Sequence, residues 1–189
     1  MIEMEFLPNL TPSLLGGWIF VVLYIIILAV IMGVQRKEVI SRLYDTSNFS
    51  KRQRLIATFI KLFMVSDFIM VIFIPINPTS IEFIFGLALY IIGLSFFAVS
   101  IYYYAKTPSD TPVSLGIYKY SRNPQILGLN ILFVGLTLMG SSMLLLILCF
   151  VGTIGSHLRI HAEEEQCLLQ YGDSYREYMK KVARYFILF

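Results

Sequence analysis

The chain has 189 residues, of which 57% are apolar and only 14% charged, with a mean hydropathy of +0.74 and a net charge of +3. A soluble domain of this length is close to half apolar and about a quarter charged, so that class is excluded. No basic stripe interleaved with aromatic residues is present, which excludes a nucleic-acid groove as well. The composition implies an all-α, polytopic membrane protein forming a single domain over residues 1–189.

The first element follows an acidic opening, MIEMEF, and its apolar run is too long for a signal-peptide core. It therefore reads as a retained span, roughly Leu14 to Val34. The second span runs roughly from Leu55 to Ile74 and is ended by PINP at Pro75 to Pro78, because proline lacks the N–H and disfavours helix before it. The third covers roughly Glu82 to Tyr104. A polar stretch follows, GIYKYSRNPQILG from Gly116 to Gly128, and leads into a fourth span from Pro124 to Leu138. MGSS at Met139 to Ser142 reads as a short turn. The fifth span, Met143 to Ile160, continues into polar HAEEEQCLLQYG. Spans four and five thus form a helical hairpin. Cys149 and Cys167 are expected to be reduced thiols that serve packing.

Lysine and arginine accumulate on the cytoplasmic side of membrane proteins. Here Arg36, Lys37, Arg42, Lys51, Arg52 and Arg54 share the first polar loop; Lys106, Lys119 and Arg122 the second; and Arg159, Arg176, Lys180, Lys181 and Arg184 the tail. All lie on one side of a five-span chain, which puts the N-terminus outside and the C-terminus in the cytosol. Lys61 is the exception, within snorkelling reach of the cytosolic surface. Anionic lipid is an expected contact for these residues.

Two polar clusters fall at that same face. Tyr118, Arg122, Asn123 and Pro124 open the fourth span, where free N–H groups and the positive end of a helix dipole suit a carboxylate or phosphate. Pro124 fits the first helical position, where its missing donor costs nothing. A helix start beside an arginine for lipid headgroups accounts for the same residues. The second cluster, RIHAEEEQ from Arg159 to Gln166, closes the fifth span. Three consecutive carboxylates beside anionic lipid require a reason, although a solvated charged turn is the plain alternative. A hairpin returns its second helix to the face where its first began, so Arg122 should approach Glu163 to Glu165 and the clusters should form one pocket. His157 and His161 share a helix face, but HLRIH lacks the glutamate of a metalloprotease pattern, and no metal is expected. Asp67, deep in the second span, reads either as functional or as a buried hydrogen-bonding group.

In order and spacing the two clusters resemble the isoprenylcysteine carboxyl methyltransferases and the related phospholipid N-methyltransferases. The family pattern G-P-Y-R-x-x-R-H/N-P-x-Y-x-G is met by Gly116, Tyr118, Arg122, Asn123, Pro124 and Gly128, with Lys119 for the first Arg, Ile117 for Pro and Ile126 for Tyr. A second pattern, R-x-x-x-E-E ending in Y-x-x-Y-x-x-x-V-x-R-F, is met by Arg159, Glu163, Glu164, Tyr175, Tyr178, Val182 and Arg184. The resemblance covers roughly Gly116 to Phe186 and implies a transmembrane part, 1–115, followed by a methyltransferase-like part, 116–189. It implies S-adenosylmethionine as cofactor, held by Leu115, Gly116, Ile117, Tyr118, Arg122, Asn123, Pro124, Gly128, Glu163 and Glu164 under a C-terminal cap. Arg159, Arg184 and Tyr175 become the expected catalytic, substrate-side residues. The implied acceptor is lipid-like and arrives from the bilayer. The carboxylate of a prenylated cysteine leads, and a phosphatidylethanolamine-type amine is the alternative. A membrane NADPH-dependent reductase and a non-catalytic membrane subunit are the remaining readings.

Overall fold

The computed structural model describes residues 5–7, 10–11 and 13–185, so the N-terminal Met1 to Met4 and the closing Phe186 of the resemblance lie outside the described residues. The described chain is all-helical: α1 (Trp18–Gly33), α2 (Lys37–Leu43), α3 (Lys51–Ile72), α4 (Ile81–Lys106), a 3-10 turn (Gly116–Lys119), α5 (Pro124–Met139), α6 (Met143–Tyr171) and α7 (Asp173–Lys181). Helices α3, α4 and α6 are long and apolar enough to cross a membrane. At 16 residues each, α1 and α5 rise only about 24 Å, short of a hydrocarbon core of ~30 Å. Five apolar helices thus stand where five spans are expected, three of them of full spanning length.

Helix starts follow local chemistry. Helix α3 begins at Lys51, four residues before the expected start, because Ser50 and Gln53 form a reciprocal capping box. Those two residues satisfy donors that would otherwise be orphaned. Replacing Ser50 with alanine should cost about 1 kcal/mol, read as a lower thermal midpoint of the purified protein. Ser80 and Ser142 cap α4 and α6 more simply, each hydroxyl accepting one backbone N–H, from Phe83 and Leu145.

Successive long helices run in alternating directions, which creates two chemically different ends. At one end Gly17 N–H donates to Ile74 O, Ile76 N–H to Leu15 O, and Met143 N–H to Glu5 O. At the other, Arg42 reaches the last carbonyls of α4, and Gln170 of α6 reaches Ser109 O. The basic loops and tail collect at this second end.

Helices α4 and α5 pack most intimately, through two pairs of glycines. A Cβ on Gly86 would lie 2.6 Å from Gly135 O, and one on Gly93 would lie 2.6 Å from Gly128 O and 2.4 Å from Leu132 N. The seven-residue spacing is the same on both antiparallel helices, so the backbones touch at two successive levels. Val21, Val71, Tyr90, Leu132, Leu136 and Leu145 build the core around this contact. Tyr90 also donates its hydroxyl to Phe20 O at 2.9 Å, tying α1 to α4.

Candidate functional site

The site is assembled where the α5–α6 hairpin returns to the basic end. Gly116 enters the 3-10 turn at φ +56°, and a Cβ there would strike the ring of Tyr103 at 2.2 Å. Only glycine meets both conditions without strain. Tyr118, two residues on, is buried: its hydroxyl accepts from Gln125 Nε2 at 2.8 Å, and its carbonyl accepts the Tyr178 hydroxyl at 2.7 Å. It therefore links the turn to α5 and to α7.

Glu164 is the electrostatic centre. Its Oε1 accepts from Arg122 Nε at 3.0 Å and Asn123 Nδ2 at 3.3 Å; its Oε2 accepts from Arg184 Nε at 3.1 Å and Nη2 at 2.8 Å. Arg122 is equally occupied, with Nη1 donating to Met179 O and Val182 O at 3.0 Å and its backbone N–H to Ala183 O at 3.0 Å. Ser121 Oγ donates to Arg184 O. Two guanidiniums around one carboxylate thereby fasten the C-terminal segment over the start of α5. The bond to Glu164, foremost, also raises the pKa of Arg184 above its ordinary value.

Arg184 continues outward, with Nη1 3.0 Å from His161 Nε2, which in turn lies 3.1 Å from His157 Nε2. A guanidinium only donates, so His161 Nε2 spends its one lone pair in accepting from Arg184, and His157 Nε2 lies in polar contact with it. His157 Nδ1 then faces the Tyr185 hydroxyl. The two imidazoles thus pack edge to face between Arg184 and Tyr185. Among the described residues, no three or more His, Cys, Asp or Glu side chains gather as a metal-binding group.

Beneath this clamp lies a cavity of about 360 Å³, within the ~300–1,000 Å³ usual for ligand pockets. One part of its wall is apolar and belongs to the bundle: Leu28 of α1, Phe97 and Ile101 of α4, Ile126 and Leu129 of α5. Another part is polar, with Arg42, Asp45, Arg159, Glu163 and Gln166. Tyr104, Tyr118, Tyr171 and Tyr175 add aromatic surface. Arg159 and Glu163 pair along α6 at 2.7 Å, both still about one-third exposed. Burial pushes the Tyr175 phenol well above its ordinary range, so it stays protonated and can donate but not act as a base.

The expected residues divide accordingly. Tyr118, Arg122, Asn123, Pro124, Arg159, Glu163 and Tyr175 line the cavity. Glu164 and Arg184 stand behind it as the clamp. Gly116 shapes the turn, with Leu115 and Ile117 beside it, and Gly128 is spent on contact with α4. Asp67 is buried in α3, with Oδ1 lacking a partner among the described residues, and is not part of this wall. The sequence places Gln166 at the end of the second polar cluster without a role, and marks Arg42 only as a topology residue. Arg42 was one basic residue among six in its loop, and nothing in its neighbours marked it.

A family model for phospholipid methyltransferases matches residues 81–174, which is 94 of the 189 residues. The match begins earlier than the resemblance read from the motifs, at the first residue of α4, and stops before Tyr175. Helix α4, which packs on α5 through the paired glycines, lies wholly within the match. No curated protein and no solved structure matches the chain significantly.

Proposed function

We propose, for a chain that belongs to the phospholipid methyltransferase family of small integral membrane methyltransferases, that the cavity at its basic end binds S-adenosylmethionine beside a lipid-like acceptor. The observation that carries this reading is the divided wall. An apolar stretch from α1, α4 and α5 adjoins a polar stretch holding both cations and carboxylates. The apolar stretch suits a lipid chain arriving from the bilayer. The polar stretch suits a zwitterionic amino-acid group, and the tyrosines suit a purine ring and a sulfonium. Buried donors without partners on this wall, Arg42 Nε and Gln166 Nε2, fit an acidic ligand group.

When bound, S-adenosylmethionine supplies an already activated methyl group. Its sulfonium would be the leaving group of an in-line displacement by the acceptor. The chain's own residues have then to align the two partners and exclude water. The clamp through Glu164 closes the cavity on the α7 side. Tyr175 donates a hydrogen bond to a ligand oxygen. For an amine acceptor, Glu163 or Asp45 would take up the ammonium proton. A carboxylate acceptor needs no base, and Arg159 would place it. The family match favours a phosphatidylethanolamine-type amine. The prenylcysteine carboxylate is the second reading, favoured by the arginines that converge on the cavity. We further propose that the basic end faces the cytosol, and that residues 1–115 and 116–189 act as one membrane domain, since α4 of the first packs on α5 of the second.

The test is calorimetric titration of the protein in lipid nanodiscs with S-adenosylhomocysteine. Saturable binding is expected. Absence of binding by folded protein, with tight binding of NADPH instead, would replace the methyltransferase reading with the reductase one.

A further inference from the structure

Arg42 ends the short helix α2 and crosses to α4, a helix more than 60 residues away in sequence. Its Nη2 donates to Tyr104 O at 2.9 Å, and its Nη1 to Thr107 O at 3.1 Å and Pro108 O at 3.0 Å. Its guanidinium lies 4.2 Å from the centroid of the Tyr104 ring. This arrangement satisfies the last carbonyls of α4 and sets a cation at the negative end of that helix. It leaves Nε buried and without a partner among the described residues.

The charge of Arg42 has no carboxylate partner among the described residues. The ion pairs of the described residues join Arg122, Arg159, Arg176 and Arg184 to carboxylates, and none includes Arg42. A helix end supplies only about half of a compensating charge. Asp45, on the same wall, accepts the Ser47 N–H at 2.8 Å. On the same cavity, α6 carries a second buried donor without a partner among the described residues, Gln166 Nε2. Helices α2 and α6 both contribute to the wall of this one cavity. Buried donors are normally satisfied, and two unsatisfied ones on one cavity, one of them a full cation, mark the place of a missing acceptor.

We propose that Arg42 and Gln166 form an anion subsite of the cavity, gripping the carboxylate or phosphate oxygen of a bound ligand from α2 and α6. The proposal rests on the methyltransferase reading above. It adds a role for α2, which lies outside the matched family region, and gives the first polar loop a function beyond membrane topology. Two ligands offer such an oxygen: the amino-acid end of the cofactor and the headgroup of a phospholipid.

The experiment uses the full chain in nanodiscs and three probes: S-adenosylhomocysteine, 5′-methylthioadenosine, which lacks the carboxylate, and a short-chain phosphatidic acid. The variants are Gln166→Met and Arg42→Lys. Gln166→Met removes an unpaired donor, so the ligand-free protein should keep or raise its thermal midpoint. If the subsite holds the cofactor carboxylate, both variants weaken S-adenosylhomocysteine about tenfold or more and leave 5′-methylthioadenosine unchanged. If it holds a phospholipid headgroup, they weaken phosphatidic acid by a similar factor and leave both nucleosides unchanged. Unchanged affinity for all three probes, or equal loss for the two nucleosides, overturns the subsite. Failure of the wild-type chain to bind S-adenosylhomocysteine would instead defeat the methyltransferase reading on which it rests.

Discussion

Glu164→Ala is expected to detach the C-terminal segment and abolish ligand binding in one step. The carboxylate is buried at 5% side-chain exposure and accepts from both Arg122 and Arg184, whose side chains are 9% and 26% exposed. Removing it leaves two guanidiniums facing each other with no anion between them. Breaking a buried pair from one side costs on the order of 3–5 kcal/mol, because the remaining charge stays desolvated. Hydrogen exchange should speed up selectively from Met179 to Arg184, the stretch whose carbonyls Arg122 and Ser121 now hold. Glu163→Ala provides the contrast within the same motif. Its pair with Arg159 is about one-third exposed on both sides, so its effect on stability should stay within about 1 kcal/mol. Equal exchange in the two variants would show that Glu164 does not hold the segment.

Gly93→Leu should prevent the α4–α5 pair from forming and leave little folded protein. Even a Cβ would sit 2.4 Å from a backbone nitrogen and 2.6 Å from a backbone oxygen of α5. Neither atom can rotate away as a side chain could. The milder Gly93→Ala is expected to cost about 1–3 kcal/mol, the usual penalty for overpacking. Gly33→Ala is the control, since a Cβ there meets nothing within 4 Å and alanine is the better helix former by up to about 1 kcal/mol. The measurement is the thermal midpoint and the yield of monodisperse protein in detergent. A Gly93→Leu protein as stable as wild type would mean that α4 and α5 do not touch at this level. Because Pro124 and Asn123 open α5, a displaced α5 would also carry the clamp away from Glu164, and ligand binding should fall with stability.

Much of this architecture is written in short-range signals. Apolar runs, PINP after α3 and the turn at Gly140 to Ser142 place the helices, because the helical repeat and the proline effect act over a few residues. The uneven distribution of lysine and arginine separates the two ends of the bundle for the same reason. Even the meeting of Arg122 with the glutamates follows from the hairpin. The Ser50–Gln53 capping box is an equally local signal, and it extends α3 four residues ahead of its apolar run.

Other features depend on distances through space. Which of three adjacent glutamates becomes the buried centre is decided by the 100° turn between neighbours on α6, which points Glu164 at residues 42 and 20 positions away while Glu163 turns to the cavity wall. The glycines at 86, 93, 128 and 135 carry a matched spacing, but only packing shows that they face one another. Arg42 finds its partners 62 to 66 residues along the chain, and its unpaired Nε becomes visible only once the other donors are accounted for. Composition and short-range patterns carry the membrane class, the order of the five apolar helices and the methyltransferase resemblance. Which polar groups are consumed in holding the fold and which remain for a ligand depends on the folded arrangement, because a hydrogen bond forms between atoms close in space and not along the chain.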